Sequence, residues 1–447
     1  MSHPLLTAPI AGSLLRLAGP TTGLMLVYIF VAIADAYLIG RLGVDALAGI
    51  ALVFPVGMLM QNIAMGGMGG GVASAMARAL GSGRLEDARA LVLHALFLAM
   101  AFAVLFTLLA WTAAPWLYRL MGGVGAALQE ALAYSDVWFG GAVLVWANAF
   151  LSSLLRGGGD ALTPGRYGLA GAVAYVPLAA LLALGIGSWP GLGLPGFAIA
   201  SMLTTGVVVV LMIRALWRGR LGFTPSFAGI RLQRRLLVEI LRVGLIASFT
   251  TFTSNVTAMI MIGLVSRFGV AALAGYGIGV RLEFMVAPIA FGIGTGLTTL
   301  VGVAAGAEAW RRAVRVAWTG ALVSFAVTGL IGWTVALLPE TWSRLFAADD
   351  AVVAASVSYI THVAPFYCFF GLGLTLNFAS QGAGRMWAPF VAGVVRMIVV
   401  TTSGWLAVDA LGLGLGGVFG AIAIGTIVYG SLIAGSLLVA PWKGRRT

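Results

Sequence analysis

Apolar residues run through this chain in blocks of twenty or more, separated by short breaks that carry arginine, glycine or proline. A helix needs about 20 mostly apolar residues to cross the hydrocarbon of a bilayer. Blocks of that length fall at residues 14–39, 46–73, 89–114, 131–154, 164–187 and 194–216. A second set falls at 240–266, 272–302, 313–338, 353–379, 387–410 and 415–440. The pattern predicts an all-α membrane protein of about twelve spans. The break at residues 185–196 (GIGSWPGLGLPG) is uncharged and reads as a short turn.

Composition agrees with the pattern. Hydrophobic residues make up 61% of 447 positions and charged residues 9%, far below the quarter or so that a water-facing surface requires. The mean hydropathy is +1.04. The 63 glycines suit closely packed spans. A net charge of +12 does not imply nucleic acid here, because arginine gathers on the cytoplasmic loops of membrane proteins. The central connection carries Arg214, Arg218, Arg220, Arg231, Arg234, Arg235 and Arg242, and the tail Lys443, Arg445 and Arg446. The same side holds Arg78, Arg84, Arg89, Arg156, Arg166, Arg311, Arg312, Arg315 and Arg385, against Arg41, Arg119, Arg267 and Arg344 opposite. Both termini are therefore expected in the cytoplasm of a multi-pass plasma (inner) membrane protein. Residues 1–19 lack a basic leader and a small-residue cleavage site, so no cleaved signal peptide is expected. The single cysteine, Cys368, reads as a small buried hydrophobe.

The chain also repeats itself. Residues 38–50 (LIGRLGVDALAGI) and 264–276 (LVSRFGVAALAGY) match at eight of thirteen positions without gaps. Residues 156–164 (RGGGDALTP) parallel 381–389 (QGAGRMWAP), and 81–88 (GSGRLEDA) loosely parallel 306–313 (GAEAWRRA). The offset is 226 for the first pair and 225 for the second, about half the chain. Six spans per half is an even number, so the halves share one orientation and should be related by a pseudo-two-fold axis along the membrane normal. The expected division is an N-terminal bundle at 1–220, a basic cytoplasmic linker at 221–239 and a C-terminal bundle at 240–447.

At these residues the chain resembles the multidrug and toxic compound extrusion (MATE) family. The resemblance rests on Pro20 and Asp35 in the first span, the turn at 40–48, the loop at 81–83, the loop from Arg156 to Pro164, and the C-terminal counterparts. It implies two six-helix bundles around a central cavity, exporting cationic, amphipathic compounds against an inward flow of protons or sodium. The first span is most similar to the DNA-damage-inducible-F-like branch, in which a proline and a following acid form the coupling element. Tyr175 and Ala179 stand where some members carry an asparagine and an aspartate, and Ser254 where another branch carries a glutamate. These departures weigh against a conventional sodium site.

Asp35 is the only charge in residues 27–39 (VYIFVAIADAYLI). An ionised carboxylate at mid-bilayer costs roughly 2.5–3.5 kcal/mol on insertion scales, so the side chain should face a cavity or carry a proton. The alternative is an interfacial acid, since Arg41 follows six residues later. Pro20 lies fifteen residues earlier, roughly 22 Å along an ideal helix. It either lets the first helix bend or is a tolerated first-turn proline. Glu283 is a second buried acid, with Arg281 nearby and Arg396 as a candidate partner from another span.

The seventh span is rich in hydroxyls, and Thr250, Ser254 and Thr257 share a face. Bonding between helices is the expected role of such groups; lining a polar cavity is the other. Asn148, Tyr175, Ser201, Ser254, Asn255, Glu283 and Asn377 are the candidate substrate-cavity residues, and Gln381 is a similar case. Met58, Met60, Met65 and Met68 suit either an adaptable binding surface or core packing. His3, His94 and His362 are scattered, so no metal and no membrane-embedded enzyme is expected. The run at 66–71 (GGMGGG) follows no strand and precedes no lysine, which excludes a phosphate loop.

The reading that follows is a secondary active antiporter, with no cofactor and a proton, or alternatively sodium, as coupling ion. Its partners are small organic cations and the lipid bilayer, with no nucleic acid, and it is expected to function as a monomer. A flippase of lipid-linked or polymeric substrates would carry a more charged cavity and two more helices. A channel is separated only by flux stoichiometry.

Overall fold

The computed structural model describes residues 4–225 and 231–443. His3, Arg445, Arg446 and part of the expected linker at 221–239 lie outside the described residues. Sixteen α-helices follow one another: α1 Ile10–Gly40, α2 Val44–Asn62, α3 Gly69–Gly81, α4 Leu85–Leu120, α5 Gly125–Gly140, α6 Ala142–Gly157, α7 Leu162–Leu184 and α8 Leu194–Trp217. Then come α9 Arg234–Ser266, α10 Val270–Gly306, α11 Trp310–Leu337, α12 Pro339–Arg344, α13 Asp350–Val363, α14 Tyr367–Ala383, α15 Trp387–Trp405 and α16 Gly414–Val439. Among the described residues no strand forms; Ile186 and Trp189 make one isolated bridge in the α7–α8 turn.

Among the described residues, eleven helices or joined helices are long and apolar enough to cross a membrane, and α5 with α6, bent by 48°, makes a twelfth when the pair is counted as one span. Hydrocarbon forces this outcome, because a lipid-facing backbone has no water to bond and must satisfy itself within each segment. The spans are longer than the apolar blocks suggest. The second extends over Val44–Gly81 and the third over Leu85–Leu120, each beyond the limits of its apolar block. One expectation is corrected here. The first helix begins at Ile10, so Pro20 is not a first-turn residue but lies inside a continuous 31-residue helix. Its missing N–H leaves the carbonyl four residues back, at Arg16, without its usual helical partner.

Contacts divide the chain into two compact units. One comprises Gly23–Leu80 and Arg84–Gly244; the other comprises the chain up to Thr22, Gly81–Gly83 and the chain from Leu245 onward. Helices α1 and α9 therefore each contribute to both units. In the first unit, α2 packs on α5, α4 on α5 and α6, and α7 on α8. Gly168 of α7 leaves room for Leu24 of α1, where an added Cβ would stand 2.6 Å from a leucine methyl. The start of α9 is pinned to this unit. Arg78 of α3 pairs with Glu239 at 3.1 Å, Arg235 pairs with Asp87, and the buried His94 ring accepts the Gln233 N–H at 2.7 Å. In the second unit, α10 packs on α11, α13 and α14, and α16 on α13, α14 and α15. Gly292 and Gly296 of α10 there receive Thr22, Leu14 and Leu17 of α1. Arg312 donates to the carbonyls of Leu5 and Ala8 at 2.9 and 2.6 Å, holding the N-terminal segment.

The repeat is visible in backbone geometry. Three loops that match in sequence each place one residue at positive φ: Gly43 and Gly269 (115° and 94°), Gly83 and Glu308 (74° and 56°), Gly159 and Gly384 (92° and 68°). Close helix approaches repeat too. Gly49 lies against the Ala127 carbonyl as Gly275 lies against that of Val352, and Gly157 against Ala73 as Gly382 against Thr298. The fourth span of each half is broken at the same place, at Gly141 and at the 3-10 turn Ala364–Phe366. One asymmetry stands out. The second span of the first half holds 38 residues with a π-helical turn at Ile63–Met68, while its counterpart α10 holds 37 without one.

Glu308 is the only described non-glycine residue at positive φ, and it is exposed. That backbone region is strained for a residue with a Cβ. Glu308→Gly is expected to stabilise the protein by about 0.5–1 kcal/mol, and Gly83→Ala to destabilise it by about 1 kcal/mol. Thermal unfolding followed by tryptophan fluorescence reads both; a lower Tm for Glu308→Gly would refute the assignment of strain to that turn.

Candidate functional site

Asp35 lies on α1, five residues before that helix ends, half-buried in the first unit. The Tyr175 hydroxyl of α7 is near enough to interact with its carboxyl group, and Tyr134 of α5 lies within electrostatic range of it. Oδ1 has no hydrogen-bond partner among the described residues. The two tyrosines pack on an apolar cluster that includes Ile39, Ala179, Ala183 and Phe197. The acid thus sits where apolar side chains and phenol rings replace water. Its vacant oxygen is a place for a proton or another donor, since an unmade bond in such surroundings is costly.

Of the other candidates in this unit, neither Asn148 nor Ser201 bonds to Asp35. Asn148 is half-buried on α6 and its Oδ1 has no partner. Ser201 is half-buried on α8. Met60 and Met68 are fully buried in the core, so packing accounts for them, while Met58 and Met65 are half-buried. His94 uses both ring nitrogens, toward Ala90 and Gln233. His362 of α13 bonds the Ser358 carbonyl. Among the described residues no three His, Cys, Asp or Glu side chains gather in a way that could hold a metal.

In the second unit the expected pair of Glu283 with Arg396 does not form. Glu283 of α10 instead accepts a hydrogen bond from the Tyr359 hydroxyl of α13. Arg396 of α15 stands over the Tyr429 ring of α16, 5.6 Å from its centroid. The reason is local: Gly279, one turn before Glu283, leaves the space that the Tyr359 ring fills. Arg281 points elsewhere, over Phe346 at 5.0 Å. The expectation for the seventh span is also corrected. Thr250, Thr251, Thr253, Ser254, Asn255 and Thr257 all donate to carbonyls of their own helix, at 2.8–3.2 Å, rather than between helices. Its buried face is Thr250, Thr253 and Thr257, on which Gly393 of α15 packs; Ser254 is half-buried and Asn255 exposed. Asn377 of α14 is buried with Oδ1 unpartnered, and Gln381 lies one turn on. Cys368 is buried and free.

Two features went unread in the sequence. Tyr134 and Tyr359 are 225 positions apart, the repeat offset; Tyr359 bonds the Glu283 carboxyl group, and Tyr134 lies within electrostatic range of Asp35. Yet the acids come from different spans, the first in one half and the second in the other. The offset itself was the signal that could have found them. The second feature is the two-toothed pairing of Arg267 with Asp409, at 2.6 and 2.9 Å, where the turn after α9 meets the end of the eleventh span.

An all-helical chain of eleven or twelve membrane spans, with a duplicated loop pattern and isolated acids in its helices, defines a membrane transporter. It belongs to the MatE family, whose profile matches twice, at residues 20–181 and 247–406. The FAD transporter of Shewanella oneidensis is 27% identical over 94% of this chain and 92% of its own length. The probable multidrug resistance protein NorM of Thermotoga maritima is 26% identical, over 89% and 84%. Among solved structures, the outward-facing conformation of a multidrug resistance MATE family transporter of the MOP superfamily superposes with a TM-score of 0.86 at 24% identity, covering 98% of this chain and 99% of that one. A MATE in the bent conformation gives 0.87 at 24% identity, over 98% and 97%.

The Tyr359–Glu283 bond predicts a coupled stability effect. Tyr359→Phe leaves a half-buried carboxyl group without its donor and is expected to cost about 1–3 kcal/mol. Combining it with Glu283→Leu should cost less than Tyr359→Phe alone, as a double-mutant cycle in thermal unfolding would read. Additive losses would show that the hydroxyl and the carboxyl group do not act together.

Proposed function

We propose that this chain is a secondary active exporter of small amphipathic organic compounds, cationic ones among them, driven by an inward proton gradient. The observation that carries the reading is Asp35, a lone carboxyl group of the first span whose Oδ1 has no hydrogen-bond partner among the described residues, near Tyr175 and within electrostatic range of Tyr134. Proton uptake there changes which bonds the carboxyl group makes with the two phenols. Pro20, inside the same helix, supplies the point at which α1 bends, and the boundary between the contact-defined units follows two residues later. Relatives named as multidrug resistance proteins support a drug substrate, and a similar MATE known in both a straight and a bent conformation accords with a bending element. The pairing of Pro20 with Asp35 supports membership of the DNA-damage-inducible-F-like branch.

The arginine distribution supports a plasma (inner) membrane protein with both termini cytoplasmic. The working division is a bundle at 1–220, a linker at 221–239 and a bundle at 240–447, acting as a monomer. Asn148, Tyr175, Ser201, Ser254, Asn255, Glu283 and Asn377 are the residues offered for substrate contact, with Tyr175 shared between that role and Asp35.

Efflux from proteoliposomes under an imposed pH or sodium gradient tests the mechanism. Substrate export should follow the proton gradient, and Asp35→Asn should reduce it at least about tenfold while leaving equilibrium substrate binding within about twofold. Export driven by sodium alone at fixed pH, or an active Asp35→Asn variant, would sink the proton assignment.

A further inference from the structure

Arg396 is the tenth residue of a 24-residue span, Trp387–Ala410, and so lies near its middle. Arginine keeps its charge in proteins and carries five N–H donors. Among the described residues this guanidinium makes no hydrogen bond and no ion pair, and its Nε is buried without a partner. The nearest acid, Glu283, feels its charge but lies beyond ion-pair distance and is taken by the Tyr359 hydroxyl. A guanidinium in the bilayer interior is expensive unless a partner answers it. Nothing in the described residues does so beyond one aromatic face.

The surroundings are built to hold that side chain in place. Gly425 of α16 leaves the room that Val400 of α15 fills, and the Arg396 stem lies beside the same position, 3.5 Å from where a Cβ would be. Tyr429, one turn later on the same helix, offers its ring face to the guanidinium, and Gly373 of α14 makes room for that ring. Tyr276 and Tyr359 meet edge to face at 5.5 Å beside Glu283. The head is therefore positioned on an aromatic floor with its donors unspent, and the residue is only partly buried, so a ligand can reach it.

We propose that Arg396 binds an oxyanion, a carboxylate or phosphate, carried by the transported amphiphile, so that the substrate class includes zwitterionic and anionic aromatic compounds beside simple cations. This rests on the exporter reading and names the substrate chemistry of its C-terminal half. A guanidinium fork matches a carboxylate or phosphate in two parallel hydrogen bonds, and the tyrosine rings take the apolar body attached to it.

The test uses the full chain in nanodiscs with two xanthene dyes that differ in one group: rhodamine B, whose carboxylate is free, and its ethyl ester, in which it is masked. Fluorescence anisotropy should show the unaltered chain binding rhodamine B more tightly than the ester. Arg396→Gln should weaken rhodamine B by at least about tenfold and leave the ester within about twofold, and Arg396→Lys should restore part of the loss. Retained ester binding shows that each variant is folded. A preference of the unaltered chain for the ester, or equal weakening of both dyes in Arg396→Gln, overturns the proposal. If the unaltered chain binds neither dye, the exporter reading on which the proposal rests falls with it.

Discussion

Inside a bilayer there is no solvent to answer a polar group, so each amide, hydroxyl and charge must find its partner within the protein. That requirement makes every element of this chain a helix. It turns the hydroxyls of α9 back onto their own carbonyls. It also makes the few exceptions informative. Where most polar atoms are satisfied, the vacant Oδ1 of Asp35 and the unspent donors of Arg396 are, among the unpartnered buried polar groups, two that belong to ionisable side chains within the spans.

The fold was largely legible because one physical signal, length of apolar run, dominates it. Twelve blocks became twelve spans, and the duplicated loops reappeared as duplicated turns with the same sign of φ. What could not be read was how far helices continue beyond their apolar blocks. The residues of α3 and the start of α4 are small or charged and carry little hydropathy signal, yet α3 stays helical and is largely buried against its neighbours. Of the two readings open for Pro20, the first-turn one falls because the helix begins at Ile10, before its apolar block.

The candidate site was legible in half. An acid alone in an apolar run is conspicuous, so Asp35 and Glu283 stood out. Their partners did not, because tyrosine in an apolar span reads as bulk. Opposite charges in two spans suggested a pair between Glu283 and Arg396, but pairing depends on which faces meet. Gly279 brings Tyr359 to the acid, and Gly373 makes room for the Tyr429 ring over which the arginine stands. Small residues that carry no charge decided the electrostatics.

The π-helical turn at Ile63–Met68 explains how two unequal halves keep matching interiors. Before it, Gly49 corresponds to Gly275 at an offset of 226; after it, Ala73 corresponds to Thr298 at 225. An extra residue in an ordinary helix would swing everything downstream by roughly 100° about the axis. The wider turn swallows that residue in one place, as π-bulges do, and the following helix resumes in phase, with Ala73 still meeting Gly157 as Thr298 meets Gly382. The turn acts as a frameshift corrector written in backbone geometry. Equivalent positions in the two halves are therefore found by helical phase, while a single numerical offset fails on one side of it.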